Sequence, residues 1–153
     1  MDPIHHLDLV VGDLERSVAF YQGLLEPLGY DRVGHITGER GEPVTYIGRQ
    51  RGEGAIGLRA APEGTAGAQP IAAHDRYAIG AHHIAFGAPS RSMVDEAAAW
   101  ATSHGARLES GPRDYDYSPG YYAVFLRDPD DIKLEVVHTP PDIRTTNSIE
   151  SVR

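Results

Sequence analysis

The chain has 153 residues, enough for one domain with a sizeable core, and its 41% hydrophobic content is ordinary for a globular protein. A formal charge of −8 argues against a nucleic-acid or anionic-membrane surface and leaves a small molecule as the default partner. No apolar run is long enough to span a bilayer, the start MDPIHHLDLVV does not read as a signal peptide, and the absence of cysteine excludes disulfides and thiolate ligands, all of which fits a cytoplasmic protein.

In chain order, Leu7, Leu9 and Val11 alternate with His6, Asp8 and Val10, so residues 5–11 are expected as a half-buried strand. Asp13 stands where a helix N-cap belongs. Leu14, Val18, Tyr21, Leu25 and Leu28 follow at helical spacing, and Gly29 marks the stop. Residues 31–36, 44–48 and 55–60 read as three short strands with Gly-containing turns between them. Residues 61–79, rich in Ala, Gly and Pro, are expected as a long connection. A strand over 81–86 then precedes a helix over 92–104, with Ser92 and Asp95 in capping-box spacing and an apolar stripe of Met93, Ala97, Trp100 and Ala101. Strands follow at 106–109, 121–126 and 132–137, with GPRDYDYSPG as a loop and DPDD as the last turn. The tail from Thr139 reads as an arm.

The order strand, helix, three strands therefore occurs twice, begun by His6-Leu7-Asp8-Leu9 and by His83-Ile84-Ala85-Phe86. The expected fold is α+β: two βαβββ modules forming a curved mixed sheet around a central cavity. Module one is 4–60, the linker 61–79 and module two 80–138, all within a single domain 1–138 and followed by an arm 139–153. One helix covers one face of each module, so the apolar face of each strand should lie beneath it. Alternation then sends His6, Asp8, His83 and Glu135 to the opposite, concave side, while His5 and His82 point away from it. Two imidazoles and a carboxylate make a ligand set for a divalent metal: Fe2+ first, with Mn2+, Ni2+ or Zn2+ as alternatives. His35, His74, His104 and His138 are read as surface residues.

The stretches HLDLVVGDLERSVAFYQGLLEPLGY, HHIAF and YYAVFLRDPDDIKLEVV, in this order, resemble the vicinal oxygen chelate superfamily, which unites glyoxalases, bleomycin-resistance proteins and extradiol dioxygenases. The resemblance spans residues 4–138 and puts the superfamily's metal positions on His6, His83 and Glu135. It implies a homodimer, with a site shared between modules and often built from two chains. Three departures bear on function. Glyoxalase I carries a fourth ligand, a Glu, where this chain has Gly57 or Leu58. The catalytic Tyr of extradiol dioxygenases is Phe125 here, and no His lies in the window 116–118. The usual Gly of the last turn is Asp131, which tolerates left-handed backbone.

Residues 113–122 hold Arg113, Tyr115, Tyr117, Tyr121 and Tyr122, suited to a planar or oxygen-rich ligand and its carboxylate or phosphate. Tyr46 and Asp8 join them as pocket candidates by strand parity. The function expected is a metal-dependent enzyme acting on a small oxygen-chelating metabolite, with Fe(II) dioxygenase chemistry preferred because a base for lyase or isomerase chemistry is hard to find. A glyoxalase-type lyase or isomerase and a metal-free sequestration protein are the alternatives.

Overall fold

A computed structural model describes residues 4–50, 54–62 and 75–140. Most of the connection expected over 61–79, His74, and the arm beyond Pro140 lie outside the described residues. The chain divides into two compact units. One comprises the residues up to Gly80 together with Asp128–Ile132; the other comprises Ala81–Arg127 and the residues from Lys133 onward.

The first unit contains β1 (Leu7–Val11), α1 (Leu14–Leu25), a 3-10 turn (Glu26–Leu28), β2 (Arg32–Thr37), β3 (Pro43–Gly48) and β4 (Ala55–Ala60). Its sheet runs β1-β4-β3-β2, with β1 parallel to β4 and the other pairs antiparallel. Asp13 caps α1 by accepting a hydrogen bond from the Arg16 N–H at 3.0 Å. Gly29, at φ +89°, ends the 3-10 turn in the left-handed conformation that favours glycine. Phe20, Tyr21, Leu24 and Leu25 are buried, as are Val11, Ile47, Ile56 and Leu58 from the strands. Burying such apolar side chains is the main favourable term in folding. Ser17 is buried too, and Leu14 and Val18, expected in the stripe, are only half-buried.

The second unit contains β5 (Ile84–Gly87), α2 (Arg91–Ser103), β6 (Leu108–Asp114), β7 (Tyr122–Arg127) and β8 (Lys133–His138). Its sheet runs β5-β8-β7-β6, again with the first and last strands parallel, so the strand topology repeats that of the first unit. Two expectations are corrected. The cap of α2 is Ser90, which accepts from the Met93 N–H at 3.3 Å, while Ser92 only shares a hydrogen bond with the Ser90 hydroxyl. Starting the helix at Arg91 turns a different stripe inward: Val94, Ala97, Ala98 and Ala101 are buried, and Met93 and Trp100 flank them. The Gly-Pro segment is also not a loop, because β6 runs through it to Asp114. Gly111 takes φ +90°, and the β6–β7 register shifts twice. Bulges on an edge strand are how a sheet accommodates Pro.

The last turn, Asp128–Ile132, packs into the first unit through buried carboxylates. Asp128 and Asp130 are only 6% and 7% exposed. Asp128 accepts from the Tyr21 hydroxyl at 2.8 Å and from the N–H groups of Asp130 and Ile132. Asp130 accepts from the Gly12 N–H and the Ser17 hydroxyl, and Arg16 lies 3.6 Å from its other oxygen. Ser17 is therefore buried because a carboxylate needs its hydroxyl. Burial pushes the Asp128 carboxyl up, against the pull of its three donors. Asp131 adopts φ +64°, the left-handed turn position foreseen for it. Replacing Tyr21 by Phe leaves Asp128 one donor short without creating a cavity, so Tyr21→Phe should cost about 1–3 kcal/mol, read as a lower urea midpoint at unchanged slope.

Candidate metal and substrate site

In each unit the face away from the apolar helix-side residues carries a histidine–carboxylate pair. In the second unit, Glu135 lies directly across from Ala85 on one side and Phe125 on the other. Its carboxylate is 2% exposed. Oε2 stands 3.1 Å from His83 Nε2, and Oε1 accepts from the Tyr121 hydroxyl at 2.5 Å. Two ligand atoms each about 2.1 Å from an ion and at right angles are about 3.0 Å apart, so the His83–Glu135 spacing suits two adjacent ligands. A buried anion also calls for a cationic or hydrogen-bonding partner.

An aromatic wall adjoins this pair. The Phe125 ring meets His83 edge-on at 6.2 Å and Tyr115 at 5.3 Å. Tyr115 stacks on Tyr117 at 5.4 Å, and Tyr117 meets Tyr121 edge-on at 5.2 Å. The Arg113 guanidinium lies 4.7 Å over Tyr115. Ser110, which sequence reading passed over, fixes the Tyr115 hydroxyl at 2.5 Å. Burial, then the hydrogen bond to Glu135, pushes the Tyr121 hydroxyl well above its ordinary pKa, so it is a donor here and no base. Tyr122 stands apart from this group: its hydroxyl donates to Asp95 of α2 at 2.6 Å, and the Arg91 guanidinium lies over its ring. Parity explains the split, since Val124 and Leu126 share the Tyr122 face while Phe125 shares the face of Glu135.

In the first unit, His6, Asp8 and Tyr46 gather around Gly57, which is registered with both Asp8 and Tyr46. Asp8 Oδ2 accepts from the Tyr46 hydroxyl at 3.1 Å and from Arg59 Nε at 2.5 Å. Arg59 in turn donates to Glu42 at 2.8 Å. Asp8 Oδ1 is buried without a hydrogen-bond partner and lies 4.0 Å from His6 Nε2. Arg59 was not foreseen, although it shares the Asp8 face by simple alternation from the inward Leu58.

His5 Nδ1 is 2.9 Å from His6 Nδ1, and His82 Nδ1 is 2.7 Å from His83 Nδ1. His138 is half-buried rather than superficial, its Nδ1 3.1 Å from the Ala88 carbonyl. Among the described residues, no single group of three or more His, Asp or Glu side chains could by itself hold a metal. The pairs come two by two, one in each unit.

The bulge in β6 turns Glu109 toward Arg127 and Lys133, which reach it at 2.7 Å and 3.1 Å. None of these three was singled out in the sequence, because the register shift that brings Glu109 to them is not visible in its spacing.

Two βαβββ units with the same strand order define the class of protein. The sequence matches the Glyoxalase/Bleomycin resistance protein/Dioxygenase superfamily over residues 3–136, and the chain belongs to that family. It is 31% identical over 135 residues to the uncharacterized protein YqjT of Bacillus subtilis (strain 168), covering 88% of this chain and 97% of that one. It is 28% identical to a glyoxalase/bleomycin resistance protein of known structure from Albidiferax ferrireducens T118, with a TM-score of 0.62 and coverage of 88% and 97%. The fold is shared with a glyoxylase/bleomycin resistance protein/dioxygenase domain from Frankia sp. EAN1pec, at 22% identity, a TM-score of 0.70 and coverage of 92% and 99%. Among the described residues, no helix is long and apolar enough to cross a membrane.

Burial pushes the Glu109 carboxyl up, but Arg127 and Lys133 together outweigh it and hold it at about 2. A lowered folded-state pKa stabilises the fold above the ordinary carboxylate value of about 4.3, and that contribution is lost as pH falls toward the folded value. Wild type should therefore exceed Glu109→Gln in stability at pH 6, with the gap closing between about pH 4.5 and pH 2 in parallel urea titrations.

Proposed function

We propose that the protein is a metal-dependent enzyme acting on a small, oxygen-chelating metabolite, with His6, His83 and Glu135 as ligands of one divalent ion. The observation that carries this reading is Glu135: an almost fully buried carboxylate with one oxygen held by Tyr121 and the other turned to an imidazole. When bound, such an ion would supply Lewis-acid chemistry toward two neighbouring substrate oxygens or, as Fe(II), the activation of O2. Tyr121 keeps the carboxylate from rotating away. The stacked Tyr115 and Tyr117 with Phe125 would offer a surface to a planar substrate, and the Arg113 guanidinium over Tyr115 would meet its carboxylate or phosphate.

The order of the two reaction classes turns on a proton acceptor. Tyr121 donates its hydroxyl to Glu135 and is held above the ordinary tyrosine value by burial and that bond. The Asp8 carboxylate, a pocket candidate from strand parity, has a buried oxygen without a hydrogen-bond partner beside His6 and is the acceptor the reading takes. Its presence puts glyoxalase-type lyase or isomerase chemistry first. Fe(II) dioxygenase chemistry is the second reading, favoured by the two-imidazole, one-carboxylate ligand types.

The test is anaerobic reconstitution with Fe(II), Ni(II) or Zn(II), followed by assay of hydroxy-ketones, 2-oxo acids and catechols with and without O2. Turnover without O2 that runs with Ni(II) or Zn(II) supports the lyase or isomerase. An absolute need for Fe(II) and O2 reverses the order. No turnover, with tight binding of an intact compound by the metal-free protein, overturns the enzyme in favour of a sequestration protein. Glu135→Gln should abolish metal retention, by elemental analysis of protein prepared without a His tag, while leaving the circular dichroism spectrum unchanged.

We also propose a two-fold homodimer. The first sheet leaves edge strands at β1 and β2 with exposed Val10, Val33 and Ile36, the kind of apolar edge that pairing covers. The interface should bury more than about 1,000 Å2 in total. Light scattering at micromolar concentration should give twice the chain mass, and a strictly monomeric mass counts against it.

A further inference from the structure

Resting on the reading of the second unit as a small-molecule site, but not on a bound metal, we propose that Lys133 recognises a carboxylate or phosphate group of the ligand. Of the 14 Lys and Arg residues of the chain, Lys133 is the single lysine.

Lys133 lies in β8, two residues before Glu135, and is registered with Arg127 as Glu135 is with Phe125. Both side chains therefore share the face of Phe125, away from α2. The ammonium lies 4.5 Å over the Phe125 ring, and Nζ is 3.1 Å from Glu109 Oε2. The side chain is only 14% exposed. The same ring meets His83 and Tyr115 edge-on. One aromatic ring is thus shared by the ammonium, by the histidine beside Glu135 and by the aromatic wall.

The ammonium brings charge that Glu109 does not cancel. Glu109 Oε1 already takes Nε and Nη2 of Arg127, at 2.7 Å and 2.5 Å. A single carboxylate is therefore met by a guanidinium before Lys133 is counted. An ammonium also carries three N–H donors, and Glu109 Oε2 answers one of them. Donors largely withdrawn from water call for further acceptors. An oxyanion supplies those acceptors together with the opposite charge. Arginine holds a carboxylate through a rigid planar fork, the task of Arg127 here, whereas lysine presents a compact charge on a flexible stem that can turn to a ligand.

Arg113 serves a different position. It is registered with Ala123, on the far side of Phe125 from Arg127, and its guanidinium lies over Tyr115. A ligand group at Lys133 lies along β8 from Glu135, and a strand advances about 7 Å over two residues. The ligand class is therefore a small molecule whose carboxylate or phosphate sits a few bonds from the part that faces Glu135.

The test reads anion binding by the full-length, metal-free chain. Because there is a single lysine, protein grown on carbon-13 lysine gives one side-chain ε-methylene signal, that of Lys133. Titration with inorganic phosphate or with succinate should move this signal along a saturating curve. The anion that does so at the lower concentration distinguishes phosphate from carboxylate recognition. By calorimetry, Lys133→Met keeps the apolar stem over Phe125, removes the charge, and should weaken binding at least tenfold. Glu109→Gln should tighten binding, because the competing carboxylate is gone, and the gain should vanish when Lys133→Met is added. A lysine that serves only to hold Glu109 would show no saturating shift, or equal affinity in wild type and Lys133→Met, or no gain from Glu109→Gln. Any of these overturns the proposal, and the lysine signal alone carries the test if Lys133→Met does not fold. No metal is present in these titrations, so a negative result leaves the metal-retention test of Glu135→Gln standing, and a positive result survives its failure.

Discussion

Each unit lays its helix against one face of its four-stranded sheet, and that asymmetry organises the rest of the molecule. Side chains along a strand alternate between faces with a period of two, so covering one face with apolar contacts commits every second residue to the other. In β8 the commitment is plain: Leu134 and Val136 are buried among apolar neighbours, while Lys133 and Glu135 lie on the face of Phe125. In β1, Leu9 and Val11 take the covered side and Asp8 the other. A buried polar group on the face away from the helix is stable only with partners. The partners found are tyrosines for the two carboxylates of the candidate site and cations for Asp8 and Glu109.

This is why much of the fold and part of the site were legible in the sequence. Repeated elements, strand parity and the left-handed turn at Asp131 follow from local rules that act within a few residues. The grouping of His83 with Glu135, and of His6 with Asp8 and Tyr46, required only parity and the order of strands. What escaped reading depends on longer range or on exceptions to alternation. Ser92 and Asp95 have capping-box spacing, yet Ser90, with Met93 three residues on, is the residue whose hydroxyl caps the helix. Gly111-Pro112 looks like a loop because Pro cannot donate to a ladder, yet an edge strand tolerates it with a register shift. Tyr121 and Tyr122 are adjacent and aromatic, and only the exact start of β7 sends one to Glu135 and the other to Asp95.

Electrostatics divides the two units' carboxylates by role. Asp128 is buried and accepts from its own turn and from α1, while Asp130 accepts from the Gly12 N–H and the Ser17 hydroxyl through one oxygen and leaves the other buried, 3.6 Å from Arg16 and without a hydrogen-bond partner. Asp8 and Glu135 each have one oxygen held by a tyrosine and another turned toward a histidine. Sequence alone places all four as acidic residues in or beside strands.

The turn Asp128–Ile132 belongs to one unit while the strands on either side of it belong to the other. The boundary between the halves is therefore not a point in the sequence. A fragment ending at Gly80 would carry α1 with Ser17 and Tyr21 buried but stripped of the carboxylates they serve. Its complement would carry two aspartates built for an interior it no longer had. The duplicated pattern invites a history of two independent halves, but the present chain has exchanged five residues between them. Recombining one half with the matching half of a relative would preserve this interior only if the turn travelled with the helix it satisfies.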